Sequence, residues 1–326
     1  MRYIRQEIFR EIGKKGQEKL GKSTIAVVGL GALGSVSAQL LARAGIGKVI
    51  LVDRDVVELS NLQRQSLFDE KDIGKPKALA AKEHLAKINS DVKIDFFIED
   101  LNYENIEKLF SGKTGLILDC TDNLETRFLI NDFSVKNRIP FIYASAVGSK
   151  GYVFDAIPGK TACLRCFLKQ ASQLDTCETI GVLNTITNLI SSIQVNEAIK
   201  ILLNKDYEKE LLFFDLWKNE SIKIKVNRNK NCVCCAENNF EYLDGRKSSM
   251  TIKLCGDNIY QIKTKSIDKS QFNNLKNKLK KIGKVVDFGY CINFDGKITF
   301  FNDGRALIKA KGEKEAKSLY SKYIGN

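Results

Sequence analysis

Two groups of residues in this chain stand at spacings that suit chemistry. The first is cysteine. Cys163-Leu164-Arg165-Cys166 and Cys232-Val233-Cys234-Cys235 form two Cys-x-x-Cys pairs, and four thiolates so spaced make a closed tetrahedral zinc site. Cys232 and Cys235 keep the pair spacing, with Cys234 an extra thiol able to replace one of them. Cys177 stands apart between Asp175-Thr176 and Glu178-Thr179. Its polar flanks place it on an exposed loop, where a thiol can take an acyl group or a sulfur atom. Cys120, Cys255 and Cys291 fall in strand patterns and read as core. Nine cysteines in 326 residues would suit disulfides only in a small secreted domain, so this spacing argues for metal and thiol chemistry.

The second group is built on glycine and charge. Ile25-Ala26-Val27-Val28 runs into Gly29-Leu30-Gly31-Ala32-Leu33-Gly34 and then a helical pattern. This is the strand, tight turn and helix start of a nucleotide-binding βαβ unit. Gly29 and Gly31 let the backbone approach a phosphate, Gly34 lets the helix lie close on the strand, and the helix amino end favours an anion. Asp53 ends the next apolar run, at the distance where an acid hydrogen-bonds a ribose hydroxyl. Asp55, Asn61, Arg64 and Gly74-Lys75-Pro76-Lys77 follow. A dehydrogenase has no need of an arginine and a lysine here, whereas a nucleoside triphosphate does, because its charge must be neutralised as a bond to phosphorus changes. Further on, Leu116-Ile117-Leu118-Asp119 is a buried strand that delivers Asp122 and Asn123 to the carboxyl edge, the ligand-binding edge of a doubly wound sheet. Asp122 is also placed to cap the helix that follows.

In this ordered set the chain resembles the ThiF/MoeB adenylyltransferases, relatives of ubiquitin-activating enzymes, over roughly residues 1–240. The resemblance implies that ATP adenylates the C-terminal glycine carboxylate of a small ubiquitin-like sulfur carrier protein ending in Gly-Gly, giving an acyl-adenylate and pyrophosphate. It implies that Asp122 binds Mg2+, that Arg64 and Lys77 contact the triphosphate, and that Asn61 orients the phosphates. Asp53, with Asp55 nearby, would hold the ribose. Arg5 would be donated across a homodimer interface, and Cys177 would be the thiol linked to thioester or acyl-disulfide chemistry. The two cysteine pairs would bind Zn2+. The thiocarboxylate would serve thiamin, molybdopterin or tRNA thiolation. No rhodanese-like segment follows residue 240, so a separate sulfur donor is expected. Activation of a ubiquitin-like modifier for conjugation and a non-catalytic nucleotide-binding adaptor are the alternatives.

The elements that must position these residues follow from periodicity. Residues 1–24 carry one or two helices. Helices are expected over about 32–44, 78–88, 103–110 and 124–131, with a long apolar one over 181–203. Strands are expected near 92–98, 139–143, 150–156, 211–216 and 221–226. This is an α/β, Rossmann-like, mostly parallel sheet flanked by helices, with a zinc-clipped C-terminal part. Residues 238–249 read as a polar linker, dividing a domain over 1–240 from a small α+β domain over 241–326. In the latter, a hairpin is expected over 251–263, helices over 269–282 and 313–323, and strands around Asp295-Gly296 and Asp303-Gly304. The sole histidine, His84, reads as a surface residue, which weakens a dehydrogenase reading. The net charge is +13, and residues 218–326 hold 23 Lys and Arg against 11 Asp and Glu. The lysines are scattered and form no long basic run, so no nucleic acid is expected as a partner. No run is long enough to cross a bilayer and the amino terminus lacks a signal-type apolar core, which reads as a cytoplasmic protein.

Overall fold

A computed structural model describes residues 2–110, 112, 114–168, 180–247, 259–263 and 267–324. The chain forms two compact units, one built on an eight-stranded sheet and the other on a five-stranded one.

The first unit opens with two helices, α1 (Ile4–Ile8) and α2 (Gly13–Leu20), and then alternates strand and helix. Its elements are β1 (Thr24–Val28), α3 (Gly34–Ala44), β2 (Lys48–Val52), α4 (Lys77–Ile88), β3 (Lys93–Phe97), α5 (Ile106–Phe110), β4 (Leu116–Asp119) and α6 (Leu124–Asn137). They continue with β5 (Phe141–Val147), β6 (Lys150–Ala156), α7 (Asn184–Leu202), β7 (Leu211–Asp215) and β8 (Glu220–Ile224). The strand order is β3-β2-β1-β4-β5-β6-β7-β8, parallel from β3 to β5 and antiparallel from there on. The strands β1, β2 and β4 read as near-continuous apolar runs because they are covered on both faces. One cluster around Ile25, Val27, Leu41 and Ile190 lies on one side of the sheet, and another around Ala26, Val28, Phe128 and Phe133 on the other.

The register fixes where chemistry can gather. Val28 pairs with Val52 on one side and with Asp119 on the other. Gly29, Asp53 and the stretch 120–123 therefore leave the sheet at one edge. Chain order reverses at this point, since β2 lies on one side of β1 and β4 on the other, which opens a crevice beyond the carboxyl ends. Gly29 has φ +84, and a Cβ there would stand 2.8 Å from the Cys120 carbonyl oxygen. A Cβ on Gly34 would overlap the Gly29 carbonyl oxygen. Only glycine fits this crossing of loop and strand.

The expected linker is turn-rich, yet residues 238–247 are not free of the first unit. Tyr242 and Leu243 are buried, the Tyr242 ring packs 5.1 Å from Phe128, and its N–H donates to Asp132. With Phe240 packed beside them, three apolar side chains in an otherwise polar stretch suffice to pin it.

In the second unit the sheet order is β10-β11-β12-β13-β9, all antiparallel. The elements are β9 (Ile259–Lys263), α8 (Lys269–Lys280), β10 (Val285–Asp287), β11 (Cys291–Phe294), β12 (Ile298–Phe301), β13 (Arg305–Lys309) and α9 (Glu313–Tyr323). Asp268 and Gln271 form a capping box at the start of α8, and Asp295 and Gly296 both take positive φ between β11 and β12, as the central pair of a type I′ turn does. Of the expected hairpin over 251–263, only β9 is described, and it pairs with β13; residues 251–258, with Cys255, lie outside the described residues. Phe272, Leu279, Ile292, Phe300, Ile308 and Tyr320 form the core of this unit. Buried Cys291 is pushed up to about 12 by burial, as expected of a core thiol.

Candidate active site

At the crevice, the glycine loop carries spare donors. Gly29 N–H donates to Val52 and Leu30 N–H to the Asp53 carboxylate at 2.5 Å. Among the described residues, no acceptor takes the N–H groups of Gly31, Ala32 or Leu33. These are the orphan donors of the α3 amino end, pointed where an anion is stabilised. Helix α7 fixes that end from behind. Ser191 Oγ donates to the Leu33 carbonyl, and Gln194 Nε2 donates to the Asp119 and Ile142 carbonyls at 3.1 and 3.0 Å. Gln194 Oε1 accepts from Ser37 on α3 at 3.0 Å. One buried amide thus ties α3, α7, β4 and β5 together at the edge where the site opens.

Asp53 accepts from the N–H groups of Leu30 and Asp55, so it holds the glycine loop as well as facing the crevice. Burial pushes its carboxyl up to about 6, against the pull of Lys77. Lys77 is only 6 % exposed. Its Nζ lies 3.4 Å from Asp55 Oδ2, and its own N–H donates to the Asp55 carbonyl. Burial alone would lower the Lys77 pKa, but Asp55, Asp53 and Asp122 outweigh it and raise it, so the ammonium stays charged. Arg54, which sequence reading left without a role, pairs with Asp100 at 2.8 Å and also feels Asp55 and Asp122. The structure therefore brings Gly29, Gly31, Gly34, Asp53, Asp55, Lys77 and Asp122 to one crevice.

The remaining expected residues are placed less directly. Asn61 is buried in a short turn and its Oδ1 accepts from Glu58 N–H. Arg64, on the same turn, donates to the Ser60 carbonyl. The cap of α6 falls to Asn123, whose Oδ1 accepts from Glu125 N–H at 2.8 Å, and not to Asp122. That corrects the sequence reading and leaves Asp122 exposed, with no hydrogen bond or ion pair among the described residues. The loop carrying Asp122 is shaped by Asp119, which accepts from the Thr121 N–H and hydroxyl, and by Arg127, which donates to the Thr121 carbonyl. Arg127 also stands 5.0 Å over the Tyr143 ring. His84 is not a free surface residue: its Nε2 lies 2.6 Å from the buried Asp72 carboxylate. Arg5 is exposed on α1, which packs against the far end of α3, where Gln6 donates to the Ala44 carbonyl. Eleven helical residues, roughly 16 Å at the usual rise, separate that end from the glycine loop. Within one chain Arg5 is not brought to the crevice. Cys177 lies outside the described residues.

The four thiols form a separate centre. The Sγ atoms of Cys163 and Cys232 are 3.6 Å apart, those of Cys163 and Cys166 3.8 Å, and those of Cys166 and Cys235 3.5 Å. A tetrahedron of sulfurs at about 2.3 Å from a zinc ion has edges of roughly 3.8 Å, so the cluster fits the metal. Asn229 N–H donates to Cys166 Sγ, the kind of outer contact that steadies a metal thiolate. Cys234 turns onto α6, where Asn131 Nδ2 donates to its sulfur, and the thiols gathered within metal-binding reach of one another are Cys163, Cys166, Cys232 and Cys235; Asp69, Asp72 and His84 form a second group of that size.

A doubly wound sheet with a glycine loop at its switch point, a buried lysine and spare donors defines a nucleotide-binding α/β protein. The pattern of the ThiF family matches residues 3–235. The chain is 40% identical to the Bacillus subtilis sulfur carrier protein ThiS adenylyltransferase over 99% of both chains. It is 35% identical to the Escherichia coli protein of that name over 73% of this chain and 96% of that one. Among solved structures, E. coli MccB with bound ATP matches at a TM-score of 0.64 and 23% identity, over 73% of this chain and 75% of that one, a likeness of fold. The chain belongs to the ThiF family, and it is an adenylyltransferase. No helix among the described residues is long and apolar enough to cross a membrane.

Proposed function

We propose that this protein adenylates the C-terminal glycine carboxylate of a small ubiquitin-like sulfur carrier, preparing it for thiocarboxylate formation. The observation that carries the reading is the crevice itself: free loop N–H groups, a buried charged Lys77 and an uncommitted Asp122 at one sheet edge. A carboxylate oxygen attacks the α-phosphorus of ATP, the bond from that phosphorus to the bridging oxygen breaks, and pyrophosphate leaves with the electron pair. The nucleophile is already ionised, so no general base is needed. Lys77, Arg64 and the loop N–H groups meet the charge that moves onto the leaving group. Asn61 orients the phosphates, with Asn123 holding the loop beside them, and Asp53 receives the ribose. Asp122 would hold Mg2+, which would supply positive charge to offset that of the phosphates. Zinc in the four-thiol cluster is structural in this reading. Arg5 reaches the crevice of a second copy, which makes the working form a homodimer, and the Cys177 thiol takes the activated acyl group as a thioester, with AMP leaving and the thiol proton passing to solvent. A separate protein donates the sulfur.

The small α+β unit over residues 249–326 is assigned as an accessory unit that grips the carrier. The matched E. coli relative is nearly covered by 73% of this chain. This assignment is withdrawn if a chain ending after residue 247 has the same KM for the carrier. The main test is carboxylate-dependent ATP–pyrophosphate exchange, with small Gly-Gly-ended proteins added one at a time. Exchange with one of them supports the reading and identifies the carrier. Tight ATP binding with no exchange would instead point to a peptide or small-molecule carboxylate.

A further inference from the structure

Like Ser35 at the start of α3, Gln65 is a buried side chain beside the glycine loop whose hydrogen-bonding capacity the fold does not use fully. It follows the turn at Leu59–Asn61, is 3 % exposed, and has its N–H bonded to the Asn61 carbonyl. Its Oε1 is buried and has no hydrogen-bond partner among the described residues. Among the described residues, its Nε2 is the only heavy atom, apart from chain neighbours, within 4 Å of where a Cβ on Gly31 would lie, at 3.9 Å. Gly31 is where the backbone approaches a phosphate, so the space its missing side chain leaves open ends on the Gln65 amide. A buried acceptor with no partner is disfavoured in a folded protein and is retained where something else completes it.

We propose that Gln65 reads the polyphosphate of the nucleotide. Its Nε2–H donates to a non-bridging phosphate oxygen beyond the α-phosphorus, and its Oε1 accepts from a water carried by the bound triphosphate. Arg64 and Lys77 attract any phosphate by charge, whereas a neutral amide held in one place rewards only a phosphate chain that extends to it. Gln65 therefore sets preference for a nucleoside triphosphate over a monophosphate. The inference rests on the nucleotide site proposed above but not on the identity of the carrier.

The test is equilibrium binding of ATP and AMP to the full-length protein, with no carrier present, for the wild type, Gln65→Leu and Gln65→Glu. Gln65→Leu keeps the shape and is expected to weaken ATP about tenfold, as loss of a hydrogen bond to a charged group does, while AMP affinity and Tm hold. Gln65→Glu should weaken ATP further by repulsion, again with AMP spared. The proposal is overturned if either folded variant keeps the wild-type ratio of ATP to AMP affinity, or if both nucleotides weaken equally as Tm falls. Should Gln65→Leu not fold, the Gln65→Glu ratio decides alone. A wild type with no preference for ATP overturns this inference and the adenylation reading together. A normal Gln65 response without exchange on any carrier overturns only the latter.

Discussion

The glycine-loop crevice and the four-cysteine cluster belong to the same unit, yet their groups are satisfied differently. In the cluster every sulfur has neighbours at metal-bridging distance, and the segments that carry them are tied down: Leu164 N–H to Asn131, Arg165 to Glu241. In the crevice the fold leaves loop N–H groups, the Gln65 acceptor and Asp122 with capacity unspent. A region whose polar groups are closed on one another holds structure, and a region that keeps a surplus of them is arranged for a visitor.

The largest effect that would sharpen this contrast is at Asp122. Because it is exposed, Asp122→Ala should lower exchange roughly 10³-fold with Tm unchanged, and near-normal exchange would break the assignment. The cluster should answer in the opposite way. Cys166→Ser, or prolonged chelation, should lower Tm by about 10 °C or more while exchange per folded molecule, assayed well below Tm, stays near normal. A loss of exchange with Tm intact would mean the cluster takes part in the chemistry.

A smaller effect is expected from pH. With its folded pKa pushed by burial from the ordinary 3.8 to about 6, neutral Asp53 favours the fold. That contribution is fully present below about 3.8 and is lost as pH rises through about 6. Nucleotide binding has the opposite sign, since a ribose hydroxyl needs the ionised acceptor, so ATP affinity should fall as pH drops below about 6. Asp53→Asn should flatten both profiles, as followed by thermal melts and by ATP titration; a wild-type slope in that variant rules the group out. The smallest effect is at Cys177. Cys177→Ala should leave exchange as it was and remove a covalent carrier adduct seen by mass spectrometry. An adduct that persists excludes this thiol.

Much of this was legible in the chain because adjacent residues carry it. The apolar run into Gly29, Gly31 and Gly34 determines a strand, a turn and a helix by local sterics alone, and the two Cys-x-x-Cys pairs carry their spacing in the sequence. What escaped depends on partners distant in sequence. Gln194 reads as one polar residue in an apolar helix, and only the packing of α7 against β4 and β5 shows that it binds two strand carbonyls. His84 lies twelve residues from Asp72, in a different element, so its pairing has no local signature. The exchange of roles between Asp122 and Asn123 turns on one residue of helix boundary, which propensity resolves poorly.

The position of α1 has a consequence for heredity. Arg5 is held a helix length from the loop its charge would serve, so in the proposed dimer each chain must borrow from the other. Two alleles, Arg5→Ala and Asp122→Ala, would each be inactive alone, but in a mixed dimer one crevice has its own Asp122 and a borrowed Arg5. Co-expressed in equal amounts with random pairing, they should restore about a quarter of wild-type activity in a two-fold assembly. A mixture of the two variants would show exchange where either alone shows little, and failure of the pair to complement would mean that each chain works alone.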